Sequence, residues 1–154
     1  MAYIGVVGPG EATADEERDA AAIGAGLAGR GHIVLCGGLG GVMAATARGV
    51  AGHGGTSVGL LPGGDRGVAA PDLTVVLPTG MGELRNALLV RCSDVVLSVG
   101  GSWGTLSEVA LAVRTGVPVV ALRGWSLPPA PGLVPVASAA AALDEVERLL
   151  EDAR

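Results

Sequence analysis

The chain has 154 residues, 49% of them hydrophobic, 16% charged and only 2% aromatic, with no phenylalanine and a formal net charge of −5. That length suits one domain, residues 1–154, whose core must be built from Val, Leu, Ile and Ala. The acidic balance argues against nucleic acid as a partner, since neutralising phosphates takes a clustered basic face. So little charge also leaves outer surface for a second copy to cover, and a homodimer is expected.

Short apolar runs alternate with helical patterns along the chain, the sign of βα units around a parallel sheet. A strand over Tyr3–Val7 leads into a helix over about Asp15–Arg30, and a strand over Ile33–Cys36 into a helix over Val42–His53. The strand Ser57–Leu61 is followed by a loop or short helical turn at Pro62–Pro71, then a strand at Leu73–Leu77 and a helix at Met81–Cys92. Next come the strand Asp94–Val99, the helix Thr105–Thr115 and the strand Pro118–Leu122. A weaker strand near Val134–Val136 and a helix at Ala137–Asp152 close the series. The expected fold is α/β: a Rossmann-like doubly wound parallel sheet of six or seven strands with helices on both faces.

All ten basic residues are arginines. Without lysine there is no P-loop lysine and no Schiff base to pyridoxal phosphate or a carbonyl substrate. Cys36 and Cys92 lie on apolar segments without a CxxC pattern and read as buried, reduced thiols of a cytoplasmic protein. His32 and His53 lack metal-ligand spacing and are expected to flank secondary structure; no metal or resident cofactor is called for. "MAYIGVVGPG" has no basic region of a signal peptide. The uncharged stretch Gly31–Ala47 is full of glycine and Gly124–Leu143 holds four prolines, so neither suits a membrane span.

In a doubly wound sheet, ligands bind beyond the carboxyl ends of the strands, near the switch in strand order. Glycines gather at three such ends: Gly8 and Gly10 after the first strand, Gly37, Gly38, Gly40 and Gly41 after the second, and Gly100, Gly101 and Gly104 after the fifth. "GVVGPGEAT" holds Thr13 where a dinucleotide fingerprint has its third glycine, and the second strand ends without a carboxylate for a ribose, so NAD is disfavoured. "CGGLGGVMAATA" opens a helix near Val42. Its glycines serve either an anion at the helix N-terminus or close packing of strand and helix, and the sequence leaves both open. In "GMGELRNALLVRCSD", Arg85 stands beside Asn86, the one asparagine of the chain, at the start of an otherwise apolar helix.

The segment "SVGGSWGTLSE" also has two readings. Thr105 and Glu108 fit a capping box, each side chain satisfying a backbone donor at the helix start. Three glycines in front of it instead point to a backbone that a ligand must approach closely.

These motifs together resemble the LOG-like, Rossmann-type nucleotide-binding superfamily, whose members were long misnamed lysine decarboxylases. Its signature is commonly written PGGxGTxxE, after a helix carrying an arginine. Here Gly100 stands at the proline, Gly101 and Ser102 at the glycine pair, Trp103 at the variable position, and Gly104, Thr105 and Glu108 on GTxxE. Arg85 falls on the family's arginine. The "TGMGELRN…VRCSDVVLSVGGSWGT" variant looks more like a subgroup that includes the molybdenum cofactor carrier protein of algae. The resemblance covers almost the whole chain.

What it implies is divided. One implication is a phosphoribohydrolase cleaving the N-glycosidic bond of nucleoside 5′-monophosphates, with Arg85 and Glu108 catalytic. The other is a non-catalytic carrier of a phosphorylated cofactor such as the molybdenum cofactor. In both, Gly8, Gly10, Gly37, Gly38, Asn86 and Gly100–Thr105, including Trp103, are expected to hold the ligand. Backbone N–H groups would cradle the phosphate, Arg85 would pair with phosphate or ribose, and Glu108 would hold the ribose or orient water.

Overall fold

The computed structural model describes residues 1–153. Seven strands form one parallel sheet: β1 (Tyr3–Val7), β2 (Ile33–Cys36), β3 (Thr56–Leu61), β4 (Val75–Pro78), β5 (Val95–Val99), β6 (Val119–Leu122) and β7 (Leu133–Val136). Their order is β4-β3-β2-β1-β5-β6-β7, so the chain starts in the middle, winds out to one edge, returns, and winds out to the other. The switch point lies between β1 and β5, where Gly5 is paired with Leu35 on one side and Val96 on the other. The two prolines within strands, Pro78 and Pro135, fall on the edge strands β4 and β7, where a missing donor breaks no ladder.

The period of two along the strands sorts side chains between two cores. Ile4 and Val6 of β1 and Val95, Leu97 and Val99 of β5 face α1 (Ala14–Gly29), α2 (Val42–Ala51) and α5 (Ala139–Asp152). Val7, Leu35, Leu60, Val96 and Val119 face only α3 (Arg85–Arg91) and α4 (Trp103–Thr115). Glycines let α1 and α2 approach backbone to backbone, since a Cβ at Gly24 would collide with the Thr46 carbonyl and one at Gly49 with that of Ala21.

Three local departures from the sequence expectations have physical causes. The helix expected from Met81 begins as a 3-10 turn, Gly82–Leu84, with α-geometry from Arg85; Gly80 and Gly82 both have positive φ, a conformation that delays the helix. Cys92 is exposed, not buried, because α3 is one short helix over a broad stretch of sheet; Cys36 is buried as expected. The capping box occurs at α1, not α4: Thr13 Oγ1 accepts from Glu16 N–H at 3.2 Å, and a Glu16 carboxylate oxygen accepts from Thr13 N–H at 2.9 Å.

His32 and His53 do follow helices. His32, between α1 and β2, accepts from the Ala2 N–H at Nδ1 (3.1 Å), so Nε2 carries the proton and donates to Glu147 of α5 at 2.8 Å. No helix is long and apolar enough to cross a membrane among the described residues.

Candidate functional site

Above the switch point lies a cleft of about 310 Å³, near the lower end of the range for small-molecule sites. The end of β1 contributes Val7, Gly8 and Gly10; the end of β2 contributes Gly37; α4 contributes Ser102, Gly104, Thr105 and Glu108; and the segment leading into α3 contributes Gly82, Glu83, Arg85 and Asn86. Met43 and Pro62 complete the wall.

α4 begins two residues earlier than its sequence pattern indicates. Ser102 is its N-cap: its hydroxyl accepts from Thr105 N–H at 3.1 Å and lies 2.9 Å from Thr105 Oγ1, while its carbonyl accepts from Leu106 N–H. The N–H groups of Trp103 and Gly104, the first two of the helix, have no intrahelical acceptor. Together with the helix dipole they make this end of the cleft attractive to an anion. The shift also moves Glu108 off the capping position. It sits in the second turn, 6% exposed, against Arg85. The capping reading of Thr105 and Glu108 therefore does not hold.

Arg85 opens α3 and is 8% exposed. Its Nη1 donates to Asn86 Oδ1 and lies 3.5 Å from Glu108 Oε1; its Nη2 reaches the Gly37 carbonyl at 3.5 Å. Its buried Nε has no hydrogen-bond partner among the described residues. A buried unsatisfied N–H costs about 1–3 kcal/mol, so this donor is a local cost that the fold bears beside the cleft. Burial pushes the Glu108 carboxyl up from 4.5 to about 7, with Arg85 acting weakly the other way. Near neutral pH this group can therefore give or take a proton. Cys36, also within the field of Arg85 and Glu108, is raised to about 11 by burial and stays a thiol.

The glycines divide by task. Gly37 makes room for the arginine: a Cβ there would lie 2.6 Å from Met43 Sδ and 2.7 Å from Arg85 Nη2. Gly104 faces open cleft, with only Ser102 Oγ near a notional Cβ, at 3.9 Å. Gly38, Gly100, Gly101 and Trp103 do not line the cleft. Gly38 packs on Leu61, Gly100 is gripped by Glu16 Oε1 and Pro9, and Gly101 abuts the ring of Trp125. Of the two readings left open for the α2 glycines, close packing is the one realised: Val42 N–H donates to the Pro9 carbonyl at 3.1 Å, and Gly41 is pressed onto Pro9 and Gly10. Arg91 and Arg114 are exposed, away from this cleft.

Sequence reasoning missed Val7, Met43, Pro62, Gly82 and Glu83 as lining residues. Pro62 directly follows β3, and its place at the carboxyl edge of the sheet was the available signal.

An all-parallel doubly wound sheet, with its crevice at the switch point and an arginine–carboxylate pair beside a helix N-terminus, defines a Rossmann-like α/β protein. Within that class the chain belongs to the SLOG cluster4 family, whose model matches residues 1–148. It is 40% identical over 123 residues to an uncharacterized protein of Archaeoglobus fulgidus, covering 80% of this chain and 81% of that one. The structure of the molybdenum cofactor binding protein from the phototrophic bacterium Rippkaea orientalis superposes with a TM-score of 0.91 at 30% identity, covering 97% of each chain. The molybdenum cofactor carrier protein from Chlamydomonas reinhardtii superposes with a TM-score of 0.89 at 31% identity, over 97% of this chain and 98% of that one.

Proposed function

We propose that the protein is a non-catalytic binding or carrier protein for a phosphorylated small molecule. The ligand's phosphate sits at the N-terminus of α4, and Arg85 serves as its cationic partner. The observation that carries this reading is the Arg85 guanidinium in the wall of the same cleft as the N-terminus of α4, a helix end whose first N–H groups lack intrahelical acceptors. The likeness over nearly the full chain to proteins that bind or carry the molybdenum cofactor supports a cargo of that kind, a phosphorylated cofactor. Free thiols at Cys36 and Cys92 fit a reducing cytoplasm, and residues 1–154 are taken as one domain.

A second copy of the chain completes the assembly in this proposal. A parallel sheet has both faces covered, yet the β2–β4 half of one face carries only the seven-residue α3. An apolar hollow of about 540 Å³ lies there, lined by Tyr3, Leu35, Val58, Leu60, Leu77, Leu88 and Cys92. Among the described residues no charged side chain lines it, so a two-fold partner meets no like charge within the hollow.

One observation favours a second reading, hydrolysis of nucleoside 5′-monophosphates: Glu108 has its carboxyl at about 7 inside the cleft, suited to proton transfer during glycosidic cleavage. Incubation with AMP, with equilibrium binding measured in parallel, separates the two. The carrier reading expects a phosphorylated ligand to bind and no adenine to appear over hours. Adenine released by wild type and reduced by several orders of magnitude in Glu108→Gln would establish the enzyme instead. Failure of every phosphorylated compound, inorganic phosphate included, to bind would remove both.

A further inference from the structure

The chain has three aromatic residues, two tryptophans and one tyrosine, and the two tryptophans, from different loops, pack against each other. Trp103 is the first residue of α4, between Ser102 and Gly104 of the cleft wall, and is 79% exposed. Trp125 follows β6 and is 42% exposed. Their ring centroids are 5.0 Å apart at an interplanar angle of 81°, the edge-to-face arrangement in which the aromatic quadrupoles attract.

The pair is held from below. Gly101 lacks a Cβ where one would collide with the Trp125 ring, so the indole lies directly against the backbone of the β5–α4 turn. Arg123 adopts a left-handed φ of 55°, rare for a side-chain-bearing residue, and its Nε donates to Asp19 of α1 at 2.5 Å. This directs the chain after β6 back over Gly101. A shallow hollow bounded by Gly101, Ser102, Thr105 and Trp125 shares Ser102 and Thr105 with the main cleft. The two depressions thus meet at the N-cap of α4. Neither tryptophan belongs to the two hydrophobic cores.

We propose that Trp103 and Trp125 form an aromatic platform that stacks a planar heteroaromatic ring of the ligand whose phosphate is held at the N-terminus of α4. The proposal rests on the phosphate-binding reading above and adds to it the chemical class of the rest of the ligand. Trp103 then serves twice. Its N–H belongs to the anion site, while its indole, braced by the edge of Trp125, offers a π-face to a ring carried out past the N-cap of α4 on a ribose-length linker. Stacking of this kind tolerates many bases and contributes mainly affinity.

The two tryptophans make the experiment direct, because the protein's indole emission reports on this one pair. Full-length protein is titrated with AMP, GMP, ribose 5-phosphate and inorganic phosphate. Affinities are measured by calorimetry and indole emission is followed in parallel, with Trp125→Phe leaving Trp103 as the sole indole. The expected result is quenching by AMP or GMP but not by ribose 5-phosphate. The better purine nucleotide should bind at least about ten-fold tighter than ribose 5-phosphate, and Trp103→Ala should remove most of that advantage, weakening nucleotide binding far more than ribose 5-phosphate binding.

Equal affinity for nucleotides and ribose 5-phosphate, with no quenching, would overturn the platform while leaving the phosphate site standing. An equal loss for all ligands in Trp103→Ala would assign Trp103 to the shape of the turn, and also overturns it. A change of oligomeric mass in Trp103→Ala with nucleotide affinity unchanged would place the indole in a protein contact instead. Absence of binding by all four probes would remove the phosphate site and the platform together.

Discussion

Arg85 of α3 and Glu108 of α4 face each other across the cleft wall at 3.5 Å, Nη1 to Oε1, with side chains only 10% and 8% exposed. A separation of that length is a loose ion pair, not a locked one, and burial outweighs the attraction at the carboxylate. Glu108 therefore titrates near neutrality while Arg85 keeps donor capacity for something else.

The first consequence is a pH-dependent stability. The folded carboxyl lies at about 7 against an ordinary 4.5, so folding favours its neutral form. Its stabilising contribution is present below the unfolded value and is lost as pH rises through 7, amounting to about 3 kcal/mol by pH 8. Urea unfolding of wild type and Glu108→Gln at half-unit steps from pH 4.5 to 8 measures it. The stability difference between the two should shift progressively in favour of Gln across that range. A constant difference would show that Glu108 titrates as an ordinary carboxyl.

Replacing Arg85 acts on both partners. Arg85→Ala should weaken phosphate-ester binding by roughly 1.5–3 kcal/mol, the range for a hydrogen bond to a charged group. It should also raise the Glu108 carboxyl further, since Arg85 is the one influence holding it down. Calorimetry reads the first effect and carboxyl titration by carbon NMR the second. Unchanged ligand affinity in this variant would remove Arg85 from the site.

Gly104 tests the helix N-terminus without disturbing the fold. A Cβ there meets nothing closer than Ser102 Oγ at 3.9 Å, so Gly104→Val should keep the wild-type melting temperature within a few degrees. The added methyls enter the space in front of the α4 N–H groups and should abolish phosphate-ester binding. Retained binding would place the anion elsewhere in the cleft.

The uncovered face predicts assembly. Leu77 is 44% exposed on the apolar hollow, and Leu77→Asp should convert a dimer to monomers by placing like charges on opposite sides of a two-fold contact. Light scattering across micromolar concentrations checks this. A wild-type mass of one chain throughout would mean that the face stays open.

The frame of the molecule was legible in the sequence because it depends on local periodicity. Apolar runs such as Ile33–Cys36 and Val95–Val99 announce buried parallel strands, and glycines after β1, β2 and β5 mark the carboxyl edge. The site was legible only where chemistry was unusual, as in the lone Asn86 beside Arg85. The start of α4 was misread because Thr105 and Glu108 make a better local capping pattern than Ser102 and Thr105. The pairing of Glu108 with an arginine 23 positions away in sequence settles the matter, and no window around Thr105 contains it. Cys92 was misjudged for a related reason: its apolar neighbours describe a sheet face, not what covers it. Trp125 carried no local signal, since its partner is Gly101 in a different turn.

The β5–α4 turn is held on two sides by the chain itself, at Gly100 by Glu16 and Pro9 and at Gly101 by Trp125. A glycine-rich turn free in solution would surrender about 1–2 kcal/mol of conformational entropy per residue on wrapping a ligand. Here that ordering accompanies folding instead, through the same Glu16 that caps α1. The shape of this turn is therefore inherited from the α1 cap and the loop after β6, so under the proposed function damage to either, far from any ligand atom, should register as lost affinity before it registers as lost fold.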